Sequence, residues 1–432
     1  MLRKVLRFLS PDNTVSAQPN LNNEDSIYDA VFFCACFANV FMLISVSLLF
    51  RYADFVSSLG GTEWHLGWIV GLGAVGAIFF RIVQGVAIDR FGPLIVWILS
   101  LIGLIIANLL HVGIDQVDGW AIYAVRLLLN LCIAGTFGAW LSFVSLRVPV
   151  NRVAEVIGMV GSSGFVGMAL GPVVGDWIFA SSDTLDQQVD TMFYVSAGLV
   201  CFSLLFTVLG GVIEQRTRTS GEVSNPAKRV GSNPIQLLRK YHPGFVLVVA
   251  ALMGLSISIP GTFLRPFVAE IGIQQIMFFF VVYNVVAFAA RVGFRRAPQV
   301  IGIRNAILLG LGFMTLSMAS YVFVDSKIAL VIPAVLGGIA HSFLFPSVVA
   351  GGTAFFPKEN RGLATSLVLA MYDVGVLVGS PLVGISVTVA RSMDLPAYPI
   401  TFLFVSGTLL VAALLLFFNY ERGDGRGVVR RK

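Results

Sequence analysis

The chain has 432 residues, 57% of them hydrophobic and only 12% charged, with a mean hydropathy of +0.87. That composition excludes a soluble globular protein, because apolar runs of twenty or so residues mean membrane-spanning helices. A formal net charge of +6 would suit a nucleic-acid binder, but the basic residues follow the loops between apolar segments, which excludes that class.

Residues 1–27 are polar and lack an apolar stretch, so they are expected to be a cytoplasmic tail and not a cleaved signal. Twelve apolar segments follow, at 30–50, 65–87, 93–113, 120–145, 153–180 and 191–213, then 243–263, 271–293, 304–324, 328–352, 362–388 and 398–419. The long polar stretch 215–241 divides them six and six. This gives an N-terminal six-helix bundle over 28–214, a cytoplasmic linker over 215–241, a C-terminal bundle over 242–420 and a basic cytoplasmic tail over 421–432. Within the linker, Asn233-Pro234 supplies a cap and a helix-starting proline, so a short surface helix is expected there.

An even number of segments puts both ends of the chain on one side. Arg90, Arg147, Arg152, the six basic residues from Arg216 to Lys240, Arg295, Arg296, Lys358, Arg361 and the basic tail fall on that side. The other side has only Arg51, Arg265, Lys327 and Arg391. The excess of Lys and Arg on cytoplasmic loops then makes both termini cytoplasmic. Trp64, Trp120, Trp177, Trp97 and Trp140 lie near segment ends and read as an interfacial belt. Arg51 and Arg265 close the first and seventh segments and read as snorkelling anchors. Cys34, Cys36, Cys132 and Cys201 lie inside apolar runs and read as packing residues, with no metal-ligand spacing among them.

The chain appears twice over. Moving 210 positions carries Arg81 to Arg291 and Gly92 to Gly302, each pair bracketing a polar break between two apolar runs. Between the brackets Gly85, Asp89 and Arg90 become Arg295, Gln299 and Val300, so the second copy reads as a degenerate remnant. Moving 209 positions carries Asn151-Arg152 to Asn360-Arg361, and Gly171-Pro172-x-x-Gly175 to Ser380-Pro381-x-x-Gly384. Two echoes at nearly one offset point to a duplicated half-chain.

Charge inside a membrane is expensive and faces a cavity or a partner. The third, sixth, ninth and twelfth segments carry none in their cores, which fits four lipid-facing supports around a polar centre. Arg126 lies in the fourth segment, about 9 Å from its edge at 1.5 Å per residue. Asp373 in the eleventh and His341 in the tenth both lie about 16 Å from the cytoplasmic edge, near the midplane. A carboxylate and an imidazole at one depth could share or relay a proton. Asn39, Asn130, Tyr283, Asn284 and Tyr372 are mid-segment groups able to meet a substrate or to hydrogen-bond between helices. Gly167, Gly171 and Gly175 are four apart, making one small-residue face that lets another helix approach, while Pro172 permits a bend.

These residues carry a resemblance. Gly85-x-x-x-Asp89-Arg90-x-Gly92 resembles the loop signature of the major facilitator superfamily, with Pro93 and Leu94 where basic residues are usual. Gly158, Gly167, Gly171-Pro172 and Gly175 resemble its fifth-segment signature, associated with proton-coupled antiporters, with Asp176 in place of a second glycine. Arg126 is similar to the family's membrane arginine, with Asn130 where a glycine is usual. The stretch from His341 through Pro346, Arg361-Gly362, Asp373 and Pro381 resembles efflux-type bacterial permeases of the superfamily.

The resemblance implies an all-α fold of twelve transmembrane helices in two pseudo-symmetric six-helix bundles. It implies a cytoplasmic latch, with Asp89 against the start of the eleventh helix, and a fifth-helix bend that seals against leak. The expected function is a secondary active transporter with its substrate site near the midplane. It is expected to be a monomeric, proton-coupled exporter of a small molecule in the bacterial cytoplasmic (inner) membrane, with Asp373, His341 and Arg126 in proton coupling. The alternatives are a proton-coupled importer and a receptor that binds without transport. No nucleotide fingerprint, nucleophile elbow or metal cluster stands out. An enzyme, a cofactor and a nucleic-acid partner are therefore not expected.

Overall fold

The computed structural model describes residues 28–148, 153–181, 183–218, 241, 243–294, 297–357 and 360–420. Twelve long helices account for nearly all of them: α1 (Ala30–Leu48), α2 (Glu63–Phe91), α3 (Pro93–Val112), α4 (Trp120–Ser145), α5 (Val153–Ile178) and α6 (Leu185–Arg218) form the first half. The second half comprises α7 (Phe245–Glu270), α8 (Met277–Gly293), α9 (Ile303–Ser320), α10 (Val331–Ala354), α11 (Arg361–Ser392) and α12 (Ala397–Tyr420). Ten helical spans are long and apolar enough to cross a membrane, the first being α1 with its continuation to Ser58; α8, at 17 residues, is a shorter apolar helix. The tails, most of the linker with its expected short helix, and Arg152, Arg295 and Arg296 lie outside the described residues.

Local chemistry sets the ends. The Asp29 carboxylate accepts from Phe32 N–H at 2.8 Å and caps α1. Thr62 and His65 form a reciprocal capping box at the start of α2. Thr184 and Gln187 bond each other reciprocally at 3.1 and 3.4 Å. That is why α6 begins at Leu185, six residues before the apolar run. Likewise α7 continues past Arg265 to Glu270, because those charges find partners described below.

Gly92 has φ +80° and ψ 154°, and Gly302 has φ +84° and ψ 152°. Each caps one helix or turn and starts the next in a backbone region that side chains rarely adopt. The two brackets of the repeat are therefore one backbone corner built twice.

In the first half, α1 packs on α5 and α6, α2 on α4, and α3 on α4 and α6. In the second, α7 packs on α11, α8 on α10, and α9 on α10 and α12. Between halves, α2 lies along α11 and α5 along α8. Helices alternate in direction, so Asp29, Arg147 and Glu214 share the terminal end with Arg304 and Phe417, while Glu63, Gln274 and Arg391 share the far end. Within the second half the closest approach joins α7 and α11. A Cβ on Gly254 would fall 1.9 Å from the Tyr372 carbonyl oxygen, and one on Gly375 1.8 Å from that of Ala251.

The tryptophans divide. Trp120 and Trp177 are 81% and 78% exposed, as belt residues are, but Trp97 and Trp140 are 1% and 4% exposed. Trp97 packs beside Phe143, and the Trp140 indole donates to the Ala35 carbonyl at 3.2 Å. Depth along a helix placed them at an interface; rotation about the helix turned them inward.

Gly254→Ala is expected to cost roughly 1–3 kcal/mol by overpacking the α7–α11 crossing, read as a lowered Tm in detergent. Gly198→Ala, with nothing within 4 Å of the added carbon, is expected to leave Tm unchanged. Equal effects would remove the close crossing as a determinant of stability.

Candidate functional site

Arg81 stands ten residues before the end of α2 and Asp373 twelve residues into α11. At 1.5 Å per residue that is about 15–18 Å from the terminal end, near mid-depth. Arg81 Nε donates to Asp373 Oδ2, the two side chains being only 13% and 9% exposed. This pair ties the two halves across 292 positions of sequence. Asp373 lies as deep as expected, but its cation is Arg81 rather than Arg126 or His341.

His341 faces Tyr283 instead, with its Nδ1 3.1 Å from the phenol oxygen. Its ring lies 6.0 Å from both Phe165 and Phe345. Arg291 completes this cluster, its guanidinium 4.9 Å from the Phe165 ring and 5.8 Å from that of Phe345. Phe165 is on α5, so the cluster also crosses between halves.

Arg126 lies apart, with Cζ 4.2 Å over the Tyr52 ring and with Nε and Nη1 buried and unpartnered. Asn130 stands beside it: a Cβ on Gly73 of α2 would fall 2.6 Å from Arg126 Cγ and 2.7 Å from Asn130 Nδ2. Asn39 ties α1 to α5 by donating to Ser163 Oγ at 2.9 Å. Asn284 turns on its own helix, donating to the Phe280 carbonyl at 2.8 Å. Tyr372 adjoins Asp373 and its backbone meets Gly254.

Of the loop signature, Gly85 is half-buried, Asp89 and Arg90 are exposed on the last turn of α2, and Gly92 forms the corner. The described close approach of α2 and α11 runs from mid-depth to the far end, where a Cβ on Gly67 would fall 2.6 Å from the Ser380 carbonyl. The α5 glycines face α1. Added carbons would meet the Val40 carbonyl at 2.7 Å from Gly167, Ser47 Oγ at 2.0 Å from Gly171, and Leu48 at 3.2 Å from Gly175. Gly158 and Pro172 are in the same helix.

A second charged assembly, at the far end, escaped sequence reasoning. Arg51 is 2% exposed and donates from Nε and Nη2 to Asp176 Oδ1 at 3.2 and 2.7 Å. It also donates from Nη1 to Asp54 at 3.1 Å and from Nη2 to the Gln274 carbonyl at 2.7 Å. The other oxygen of Asp176 accepts from Met277 N–H at 2.7 Å, at the start of α8, where a carboxylate is favoured. Arg265 holds both oxygens of Asp54 at 2.9 and 3.0 Å. Beside them Arg391 forks onto Glu63 at 2.7 and 2.9 Å and reaches Glu270 at 3.1 Å, while Tyr398 donates to Glu63 at 2.9 Å. Phe50 stacks on Phe280 at 4.4 Å under the charges.

Arg51 and Arg265 are therefore clasp residues, not snorkelling anchors. Asp176, which stands where the α5 signature would have a glycine, accepts from Arg51, and Asp54 is the acceptor that the two arginines share. The available signal was that all four basic residues on the sparse side lie within five positions of an acid of the same side.

Asp176→Asn would leave Arg51 with Asp54 as its carboxylate partner and the Gln274 carbonyl as its neutral one, and breaking a buried pair costs about 3–5 kcal/mol. The far end is expected to part more often, read as a longer distance between spin labels at Ser181 and Leu395. An unchanged distance distribution would mean that the clasp does not hold the halves together.

With this geometry in hand, known proteins offer a comparison. A family model described as Major Facilitator Superfamily matches residues 31–327 and 299–431. The staphylopine export protein of Staphylococcus aureus (strain Mu50 / ATCC 700699) is 20% identical over 337 residues, covering 76% of this chain and 81% of that protein. Among solved structures, nucleoside transporter NupG superposes with a TM-score of 0.71 at 15% identity, covering 90% of this chain and 99% of that one. A D-xylose–proton symporter gives 0.68 at 13% identity, covering 90% and 97%. At such identities the structural likeness speaks to the fold alone. The family model covers most of the chain, and the protein is a member of the Major Facilitator Superfamily.

Proposed function

We propose that this transporter is a proton-coupled exporter of a small molecule, working by alternating access in a bacterial cytoplasmic membrane. The observation that carries the reading is the Arg81–Asp373 pair, buried near mid-depth and joining α2 of one half to α11 of the other. A proton on Asp373 neutralises the carboxylate and leaves Arg81 without its partner, so the mid-depth tie between halves weakens. Loss of the proton restores the tie. A carboxylate that is charged in one arrangement and neutral in the other links proton movement to the separation of α2 and α11.

His341, hydrogen-bonded to Tyr283, is a second proton-active group in the same half, and Arg126 lies in the first half over Tyr52. Export is favoured by the α5 glycine pattern and by similarity, at 20% identity, to an export protein. Asp89 at the end of α2 and Gly92 at its corner are read as a latch that acts at the opposite end from the clasp.

In proteoliposomes, Asp373→Asn is expected to abolish accumulation driven by a pH gradient while keeping substrate–substrate exchange. His341→Gln is expected to shift the pH dependence with a smaller loss, and Asp89→Asn to slow both modes. Full gradient-driven accumulation by Asp373→Asn would move the coupling site elsewhere, with Asp176 and Glu155, the two acidic residues of the fifth segment, next to test.

The orientation has its own check. A reporter active only in the cytoplasm is expected to work when fused after Lys240 and after Lys432, and to be silent after Asp186. An active fusion at Asp186 would invert the chain in the membrane.

A further inference from the structure

The repeat makes Arg291 the counterpart of Arg81. Arg81 has its acid, but 209 positions before Asp373 stands Gly164, so the matching place in the first half holds no carboxylate. What Arg291 meets there is the ring of the next residue, Phe165, at 4.9 Å. Its Nε and Nη2 atoms are buried without a hydrogen-bond partner. A guanidinium with buried, unmade bonds is expensive, and within a membrane such a group points to a site of use.

The unmade bonds specify the ligand. Nε–H and Nη2–H lie along one edge of the guanidinium plane and form the fork that takes a carboxylate with two parallel bonds. At the far end Arg51 offers this same edge to Asp176. Arg126 differs, because its open atoms are Nε and Nη1, which do not share an edge. Beside the open fork of Arg291 stand the Tyr283–His341 pair, with hydroxyl and imidazole in hydrogen-bond contact, and the rings of Phe165 and Phe345. Phe165 belongs to the other half, so relative movement of the halves uncovers or covers the fork.

We propose that Arg291 anchors a carboxylate of the transported molecule, its flat apolar body lying between the Phe165 and Phe345 rings. The substrate class is then a small carboxylic acid, bound as its anion. The proposal rests on the transporter reading above and deepens it. It is tested by binding alone, so failed transport and failed binding are separate results.

Purified protein in detergent is heated with benzoate, phenylacetate or hippurate, each compared with its uncharged primary amide at the same concentration. At least one carboxylate is expected to raise Tm above the effect of its amide. Arg291→Gln is expected to lose that difference and Arg291→Lys, which keeps the charge without the fork, to retain a small part. Phe165→Leu removes a ring but no charge, and is expected to reduce the difference if Arg291→Gln proves too unstable to purify. No carboxylate exceeding its amide, or an undiminished difference in Arg291→Gln, would overturn the proposal. So would an undiminished difference in Phe165→Leu where that variant must stand in.

Discussion

Near mid-depth the two halves are joined by the ion pair between Arg81 and Asp373. Taking both charges out of water is costly, and the pair offsets that cost only while its geometry holds. A purely apolar contact at the same place would hold the halves together under all conditions. In the proposed coupling, a paired carboxylate and guanidinium instead make this tie sensitive to a single proton. The glycine contacts of α2 with α11 bring the backbones close enough for the two side chains to meet.

Around this contact the duplicated architecture is kept in its backbone and broken in its charges. Gly92 and Gly302 adopt nearly the same φ and ψ, so the corner survives in both halves. The acidic residue that would complete the second pair is missing, and the first loop alone keeps Asp89 and Arg90. Symmetry of the fold thus provides matched positions, and asymmetry of the side chains assigns them different work. The second copy has Gln299 and Val300 in place of Asp89 and Arg90, and keeps Arg291 at its start.

Much of the fold was legible because it follows from composition. The twelve apolar runs, the six-and-six division and the depth of Asp373 all come from counting along the chain. What counting cannot supply is rotation about each helix and contact between distant helices. Trp97 and Trp140 have the right depth for a belt and the wrong rotation. Arg51 and Arg265 looked like isolated end charges because Asp176 and Asp54 reach them through folding, Asp176 from 125 positions away. The α5 glycines were legible as a close-packing face, and α1 as its occupant was not. Asp373 was singled out by its cost, yet its partner lay 292 positions back, in a helix whose arginine seemed a feature of the loop.

Arg51 has a consequence for how the far end moves. It holds acceptors on Asp54 and Asp176 of its own half together with the Gln274 carbonyl of the other, while Asp176 in turn accepts from Met277. No one of these bonds can be stretched without leaving another buried donor or acceptor unmet. Parting the far end therefore breaks these bonds as a set, the way a bolt is withdrawn. A half-open arrangement, through which ions could slip across without being carried, would leave buried donors and acceptors unmet, and that is its cost.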